Sequence, residues 1–72
     1  MVNLNSSNLS GVAYDAAKGE LIVRFKNGST YSYRNANREV FDAIVTAPSS
    51  GKVFNALVKK HPERFPHTRI EG

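Results

Sequence analysis

The feature that most constrains the fold is an alternation of apolar and polar residues that leads into a turn at Asn27-Gly28. Residues 20–26 read ELIVRFK. Leu21, Val23 and Phe25 stand at alternate positions and are all apolar, whereas the other set of alternate positions includes the charged residues Arg24 and Lys26. Successive side chains of a strand point to opposite faces, so this pattern predicts a strand with one buried face. Asn-Gly favours a tight hairpin turn. Residues 29–34 are rich in Tyr, Ser and Thr, so we predict a β-hairpin.

Two registers of this hairpin lead to opposite faces for its tyrosines. A two-residue loop pairs Arg24 with Tyr31 and places Tyr31 and Tyr33 on the basic face. A three-residue loop, residues 26–28, pairs Val23 with Tyr31 and puts both rings on the apolar face. A slip of one residue moves every side chain to the other face, and only the longer loop keeps one face apolar. We therefore favour the three-residue loop, with both tyrosines mainly in the core.

Two amphipathic helices are predicted after the hairpin. The first begins at a capping asparagine, Asn35 or Asn37, and ends before Pro48. The second begins at Ser49 or Ser50 and ends before Pro62. Four apolar positions in each helix share one face: Val40, Phe41, Ile44 and Val45 in the first, and Val53, Phe54, Leu57 and Val58 in the second.

These elements predict an α+β fold. Residues 9–15 supply a further strand, interrupted by Gly11, so the sheet is expected to be a three-stranded antiparallel β-meander covered on one face by two C-terminal α-helices. Residues 9–66 are expected to form a single β-β-β-α-α domain, with Phe65 docked on the core. We expect residues 1–8 to be a flexible N-terminus and residues 67–72 a C-terminal tail.

Basic residues exceed acidic ones, ten to six, and residues 52–72 hold five of the basic and two of the acidic residues. A basic surface suits nucleic acid or an acidic protein surface. The alternative is a solvated helix end whose cations complement the helix dipole. The candidate partner-binding residues are Arg24, Lys26, Arg34, Lys52, Lys59, Lys60, Arg64 and Arg69.

Residues that could support catalysis are sparse. The chain has no cysteine, so a thiolate metal site is excluded. His61 and His67 are six residues apart and no carboxylate cluster accompanies them, so no metal site is predicted. No serine has the surroundings of a known nucleophile motif. We expect a protein without catalytic residues, metal or cofactor.

The segment Ser49-Ser50-Gly51-Lys52 stands at the start of the second predicted helix. It lacks the first glycine and the preceding buried strand of a phosphate-binding loop. Helix capping is the favoured interpretation, and one bound phosphate or carboxylate is the alternative. The N-terminal residues lack the features of a signal peptide, and no apolar run approaches the roughly 20 residues of a membrane span. We expect a soluble cytoplasmic protein that is a monomer.

Several motifs in their order along the chain resemble the KTSC domain family, over about residues 6–70. Tyr31-Ser32-Tyr33 is similar to the central Tyr-x-Tyr motif of that family. The second-helix signature is matched by Ser49-x-Gly51-x-x-Phe54-Asn55, although Val53 stands where an aromatic residue is frequent. The earlier matching segments are Ser6-Ser7-Asn8-Leu9, Val12-Ala13-Tyr14-Asp15 and Leu21-Ile22-Val23-Arg24-Phe25.

The resemblance implies a binding function rather than a catalytic one. KTSC domains occur at the C-terminus of some lysyl-tRNA synthetases and as free-standing small proteins of bacteria and phages, and RNA binding is their suggested role. The chain looks like a free-standing member and is also similar to small phage proteins that bind the host RNA polymerase. Two hypotheses follow. The first is a regulator that docks on bacterial RNA polymerase, or on another large nucleic-acid enzyme, and modulates transcription by inhibition or antitermination. The second is a direct binder of structured RNA through phosphate contacts.

Overall fold

The computed structural model describes residues 1–71. Five strands form one antiparallel sheet in the order in which they occur along the chain. A π-helical segment, Asn55–Lys59, directly continues the second helix. The elements are β1 (Val2–Asn3), β2 (Leu9–Asp15), β3 (Glu20–Phe25), β4 (Thr30–Tyr33), α1 (Arg38–Thr46), α2 (Ser50–Phe54) and β5 (His67–Glu71).

The predicted α+β class with an antiparallel sheet and two helices is confirmed, but the predicted number of strands, three, was wrong. Residues expected in a flexible N-terminus and a C-terminal tail supply the two edge strands, β1 and β5. The Arg34 amide donates to the Pro66 carbonyl at 2.8 Å, which brings the chain beside β4. β5 then satisfies backbone groups that β4 would otherwise leave unpaired at its edge.

The hairpin between β3 and β4 has the three-residue loop that the apolar pattern favours. Val23 lies opposite Tyr31, and Leu21 lies opposite Tyr33. The Gly28 amide donates to the Phe25 carbonyl at 3.0 Å. Gly28 has a φ of 94°, a left-handed conformation that glycine adopts at little cost. Both tyrosines therefore lie on the sheet face that the helices cover.

A β-bulge in β2 explains the interruption predicted at Gly11. The pairing with β3 shifts by one residue between Leu9 and Gly11. Residues three apart in a regular strand point to opposite faces, and a bulge removes that restriction. Leu9 and Val12 can therefore both be fully buried in the core.

The two helices begin where hydrogen bonds hold their first turns. Asn37, rather than Asn35, caps α1, and its Oδ1 accepts from the Val40 amide at 3.0 Å. Ser49 occupies the cap position of α2 but makes no capping bond with its side chain. The Ser50 hydroxyl is buried and donates to the Ile44 carbonyl at 2.9 Å, which ties α2 to the end of α1.

The π-helical segment changes which residues face the core. In a regular α-helix Leu57 would share the buried face of Phe54 and Val58, as the sequence pattern predicts. The i→i+5 bonding of a π turn widens the helix and shifts the direction of the residues that follow. Phe54 and Val58 are buried, whereas Leu57 is 40% exposed.

The core lies between the sheet and the helices. Phe65, which follows Pro62, is buried and docks on this core as predicted. The remaining buried apolar residues are Leu9, Val12, Leu21, Val23, Tyr33, Ile44, Phe54 and Val58. Among residues 1–71, no helix has the length and apolar character needed to cross a membrane.

Candidate functional site

An open pocket of about 310 Å³ lies where the β3–β4 turn, β4, β5 and the end of the π-helical segment meet. We call it the aromatic pocket because five of its lining residues carry rings: Phe25, Tyr31, Tyr33, Phe65 and His67. Val58 and Pro62 complete its apolar wall, and Asn27, Ser29 and Lys59 contribute polar atoms. The helices cover the sheet face only in part, so this end of the core side stays open.

The rings of the aromatic pocket pack against one another. The centroid of His67 lies 5.6 Å from that of Tyr31 and 5.5 Å from that of Tyr33. Tyr31 also meets Phe25 edge to face at 5.6 Å. Tyr33 meets Phe54 in the same way at 5.4 Å, which anchors the pocket wall to the core.

Burial affects the ionisation of one of these rings. Desolvation raises the pKa of the Tyr33 phenol above its ordinary value of 10.0, and the neighbouring Tyr31 phenol raises it further. Tyr33 is therefore neutral at physiological pH. A neutral phenol can donate a hydrogen bond as well as accept one.

Hydrogen bonds hold two polar side chains of the β3–β4 turn, Asn27 and Ser29, at the wall of the aromatic pocket. Asn27 Oδ1 accepts from the Ser29 amide at 2.9 Å, which leaves the Asn27 amide nitrogen free to donate. Ser29 Oγ accepts from Arg69 Nη2 at 3.4 Å. Arg69 lies opposite Tyr31 in the pairing of β4 with β5. Lys59 and Arg69 are thus two cationic side chains at one pocket.

The apolar pattern of the sequence predicts that Tyr31 and Tyr33 lie on the covered face, as they do, but it does not predict the pocket that they line. Tyr33 is buried, as expected of a core residue, whereas Tyr31 is half-buried and faces the opening. The pocket is formed in part by His67 on β5 and Lys59 at the helix end, and residues 67–72 were expected to be a C-terminal tail. The segment HTRIE holds one strongly apolar residue, Ile70, so its local pattern gives no clear signal for β5.

All eight cations predicted to bind a partner are exposed. Among residues 1–70, whose side chains the structure describes, seven of these eight cations, all except Arg24, form no ion pair. These seven, which we call the unpaired cations, are Lys26, Arg34, Lys52, Lys59, Lys60, Arg64 and Arg69.

The structure brings only some of these cations together. Lys59 lines the aromatic pocket, and Arg69 donates to Ser29, another of its lining residues. Arg64 lines a separate cavity with Leu57, and Lys52 lines a polar cleft beside the N-terminal loop. Arg24 is on β3, opposite Thr30. The basic residues therefore belong to several surfaces of the protein.

The polar cleft forms where the N-terminal loop packs on the start of α2. Ser6 Oγ donates to Asn8 Oδ1 at 3.1 Å, and the Asn8 carbonyl accepts from the Lys26 amide at 2.9 Å. Asn55 lies at the cleft, and Phe54 beside it is fully buried. The N-terminal loop and the start of α2 therefore pack against one another, although they lie far apart in the chain.

The two histidines lie in different environments. His61 Nδ1 is 3.7 Å from Glu63 Oε1 at the helix end, whereas His67 belongs to β5 and the aromatic pocket. In the part of the chain that the structure describes, no group of three or more His, Cys, Asp or Glu side chains could hold a metal ion.

The fold and its motifs define a class of small α+β proteins, and comparisons with known proteins identify it. The KTSC domain profile matches residues 5–61. The chain therefore belongs to the KTSC domain family.

Similar proteins cover most of the chain. A protein of Tsukamurella paurometabola is 39% identical over 59 residues, which is 82% of this chain and 88% of that protein. An uncharacterized protein of Stutzerimonas stutzeri is 36% identical over 70 residues, with 97% and 96% covered. The crystal structure of a KTSC domain protein from Yersinia pestis superposes with a TM-score of 0.82 at 25% identity, covering 94% of this chain and 92% of that one.

Proposed function

We propose that this protein is a non-catalytic regulator that docks on bacterial RNA polymerase in the cytoplasm of a bacterium or a phage-infected host and modulates transcription. The observation that carries the proposal is the set of seven unpaired cations defined above. An acidic protein surface can pair with them without first breaking ion pairs inside this chain. Such complementary charge speeds encounter and selects the partner.

An apolar side chain beside one of these cations favours a protein partner over bare phosphate. Leu57 is 40% exposed because the π-helical segment turns it away from the core. It lines the same cavity as Arg64 and Asn35. Protein interfaces combine a buried apolar centre with polar residues around it, whereas phosphate contacts need only donors and charge.

Affinity capture of the tagged chain from bacterial lysate, with and without nuclease, tests this proposal. We expect RNA polymerase subunits to stay bound after nuclease treatment. The double variant K60E/R64E should lose them. The control K18E/R38E changes the net charge equally, but neither of its cations is among the seven unpaired cations, so it should retain the polymerase subunits. Polymerase that disappears with nuclease, or equal retention by both variants, would contradict the proposal.

An uncharged substitution separates docking on protein from binding to phosphate. Leu57→Ser removes the exposed apolar side chain and leaves every charge in place. It should weaken capture of polymerase if the interface is a protein surface. A partner bound through phosphates should not respond to this change.

Direct binding of structured RNA is the second candidate, and it is favoured by two cations at the aromatic pocket: Lys59 lines it, and Arg69 donates to Ser29 in its wall. Several phosphate contacts make the logarithm of the binding constant fall linearly and steeply with the logarithm of salt concentration. A titration of a structured RNA at a series of salt concentrations would show this slope. A shallow slope, with polymerase capture intact, favours docking on protein.

A further inference from the structure

We infer that the aromatic pocket is a binding site for a single nucleotide, with the base against the rings and the phosphate beside Lys59 and Arg69. This inference does not rest on docking to polymerase and would survive its failure. A free mononucleotide and the terminal nucleotide of an RNA strand present the same chemistry to the pocket. The experiment below distinguishes these two sources.

The size and walls of the pocket fit one flat ring with its sugar. Its volume of about 310 Å³ lies at the lower end of the range for small-molecule sites. Tyr31 is half-buried and His67 is exposed, so both rings remain accessible at the opening. Bases stack on aromatic side chains of this kind whatever their sequence.

The polar groups at the pocket match the edge of a base. The Asn27 amide nitrogen is free to donate because its Oδ1 already accepts from the Ser29 amide. Ser29 Oγ accepts from Arg69, so the Ser29 hydroxyl proton is available to a ligand acceptor. Bound bases are held by such hydrogen bonds to their edges together with stacking.

The charge at the pocket favours an anionic ligand. Lys59 lines it, and Arg69 reaches Ser29 in its wall. Among the described residues that line the pocket, none is an Asp or Glu. Charge-assisted hydrogen bonds from Lys and Arg to phosphate are stronger than bonds between neutral groups. A ligand with both an aromatic ring and a phosphate would contact the aromatic wall of the pocket through its ring and the cations Lys59 and Arg69 through its phosphate.

The test is an NMR titration of the full chain with AMP, adenosine, ribose 5-phosphate and a short single-stranded oligoribonucleotide. We expect AMP to shift the backbone resonances of Tyr31, His67 and Lys59. Adenosine and ribose 5-phosphate should bind more weakly than AMP, because each lacks one half of the recognised chemistry. Equal affinity for AMP and the oligonucleotide indicates a free nucleotide, and clearly tighter oligonucleotide binding indicates the end of a strand.

Neighbouring residues provide matched controls for the pocket. Lys59→Glu should weaken AMP binding about tenfold or more, because it replaces a phosphate donor with a repelling carboxylate. Lys60→Glu makes the same change in charge next to it, but Lys60 does not line the pocket. His67→Ala should weaken binding about fivefold or more through lost stacking, and Thr68→Ala on the same strand should not.

Thermal unfolding of each variant establishes that it is folded before affinities are compared. The inference is overturned if neither AMP nor the oligonucleotide shifts the pocket resonances. It is equally overturned if Lys59→Glu and Lys60→Glu have the same effect on AMP binding. A loss of polymerase capture in K60E/R64E with intact AMP binding separates this site from the docking surface.

Discussion

A Cβ atom at position 51 would lie 2.7 Å from Asn8 Oδ1, because the N-terminal loop packs directly on the first turn of α2. It would also lie 2.9 Å from Ser6 Oγ. Real Cβ atoms essentially never approach other heavy atoms this closely, so alanine at this position would force the Asn8 and Ser6 side chains to move. The same contact places the loop beside Lys26, whose amide bonds the Asn8 carbonyl.

Gly51→Ala is predicted to be more harmful in the natural chain than in the background Ser6→Ala/Asn8→Ala. Alanine favours a helix over glycine by about 1 kcal/mol, but overpacking typically costs about 1–3 kcal/mol. We expect a coupling of about 1 kcal/mol in the free energy of unfolding, measured by urea denaturation of all four proteins. Identical effects of Gly51→Ala in the two backgrounds would show that the loop does not press on this glycine.

Ser50→Ala is predicted to destabilise the protein, whereas Ser49→Ala is not. The buried Ser50 hydroxyl bonds the Ile44 carbonyl at 2.9 Å, and its removal leaves that carbonyl without this donor at a cost of about 1–2 kcal/mol. Ser49 is exposed and makes no capping bond, so its change should stay within about 0.5 kcal/mol. Chemical denaturation of the two single variants compares neighbouring serines directly, and equal losses would contradict the assigned role of Ser50.

Local patterns in the sequence were enough to predict the hairpin and both helices. Leu21, Val23 and Phe25 alternate over a whole strand, so a slip of register would expose three apolar side chains at once. Asn37 carries the capping side chain at the start of α1, and Asn35 was the alternative. The backbone conformation decides between the two asparagines. Asn37 is extended, as a capping residue usually is, whereas Asn35 adopts a left-handed φ of 61°.

The edge strands and the aromatic pocket depend on distant contacts that a local pattern does not contain. β1 has two residues, too few for any periodicity. The strand β5 has Ile70 as its one strongly apolar residue, and that side chain is 53% exposed. The pocket joins Lys59 to Ser29 and His67 only after both β5 and the π-helical segment have formed. Likewise, the exposure of Leu57 follows from the π turn, which helical periodicity cannot indicate.

Substitutions at two left-handed positions should separate backbone strain from side-chain contact. A Cβ at Gly28 would meet nothing within 4 Å, so the cost of Gly28→Ala comes from its φ of 94° alone. We expect a loss of about 1–2 kcal/mol in the free energy of unfolding. Asn35 has a φ of 61°, and Asn35→Gly should change that free energy by less than about 0.5 kcal/mol.

Thermal and urea unfolding of Gly28→Ala, Gly28→Asn and Asn35→Gly would check this pair of expectations. Asparagine tolerates the left-handed region better than alanine, so Gly28→Asn should lose less stability than Gly28→Ala. The strain argument fails if alanine and asparagine at position 28 are equally stable. It also fails if Asn35→Gly destabilises the protein as much as Gly28→Ala.

The stability of the protein should fall at alkaline pH partly because of Tyr33. Burial, followed by the nearby Tyr31 phenol, raises the pKa of Tyr33 in the folded chain above its value of 10.0 in the unfolded chain. The folded state therefore holds this proton more tightly than the unfolded state. The resulting stabilisation is complete below the unfolded pKa and is lost as the pH rises through the folded pKa.

Tyr33→Phe removes the titrating group and keeps the ring. We expect its free energy of unfolding to decline less steeply above pH 10.0 than that of the natural chain. Denaturation of both proteins across an alkaline pH series measures this difference, because the two chains differ only in the Tyr33 hydroxyl. Tyrosinate absorbance of the folded chain should show one phenol that ionises late, and this signal should be missing from Tyr33→Phe. Parallel stability curves for the two proteins would mean that solvent reaches the Tyr33 hydroxyl freely through the aromatic pocket.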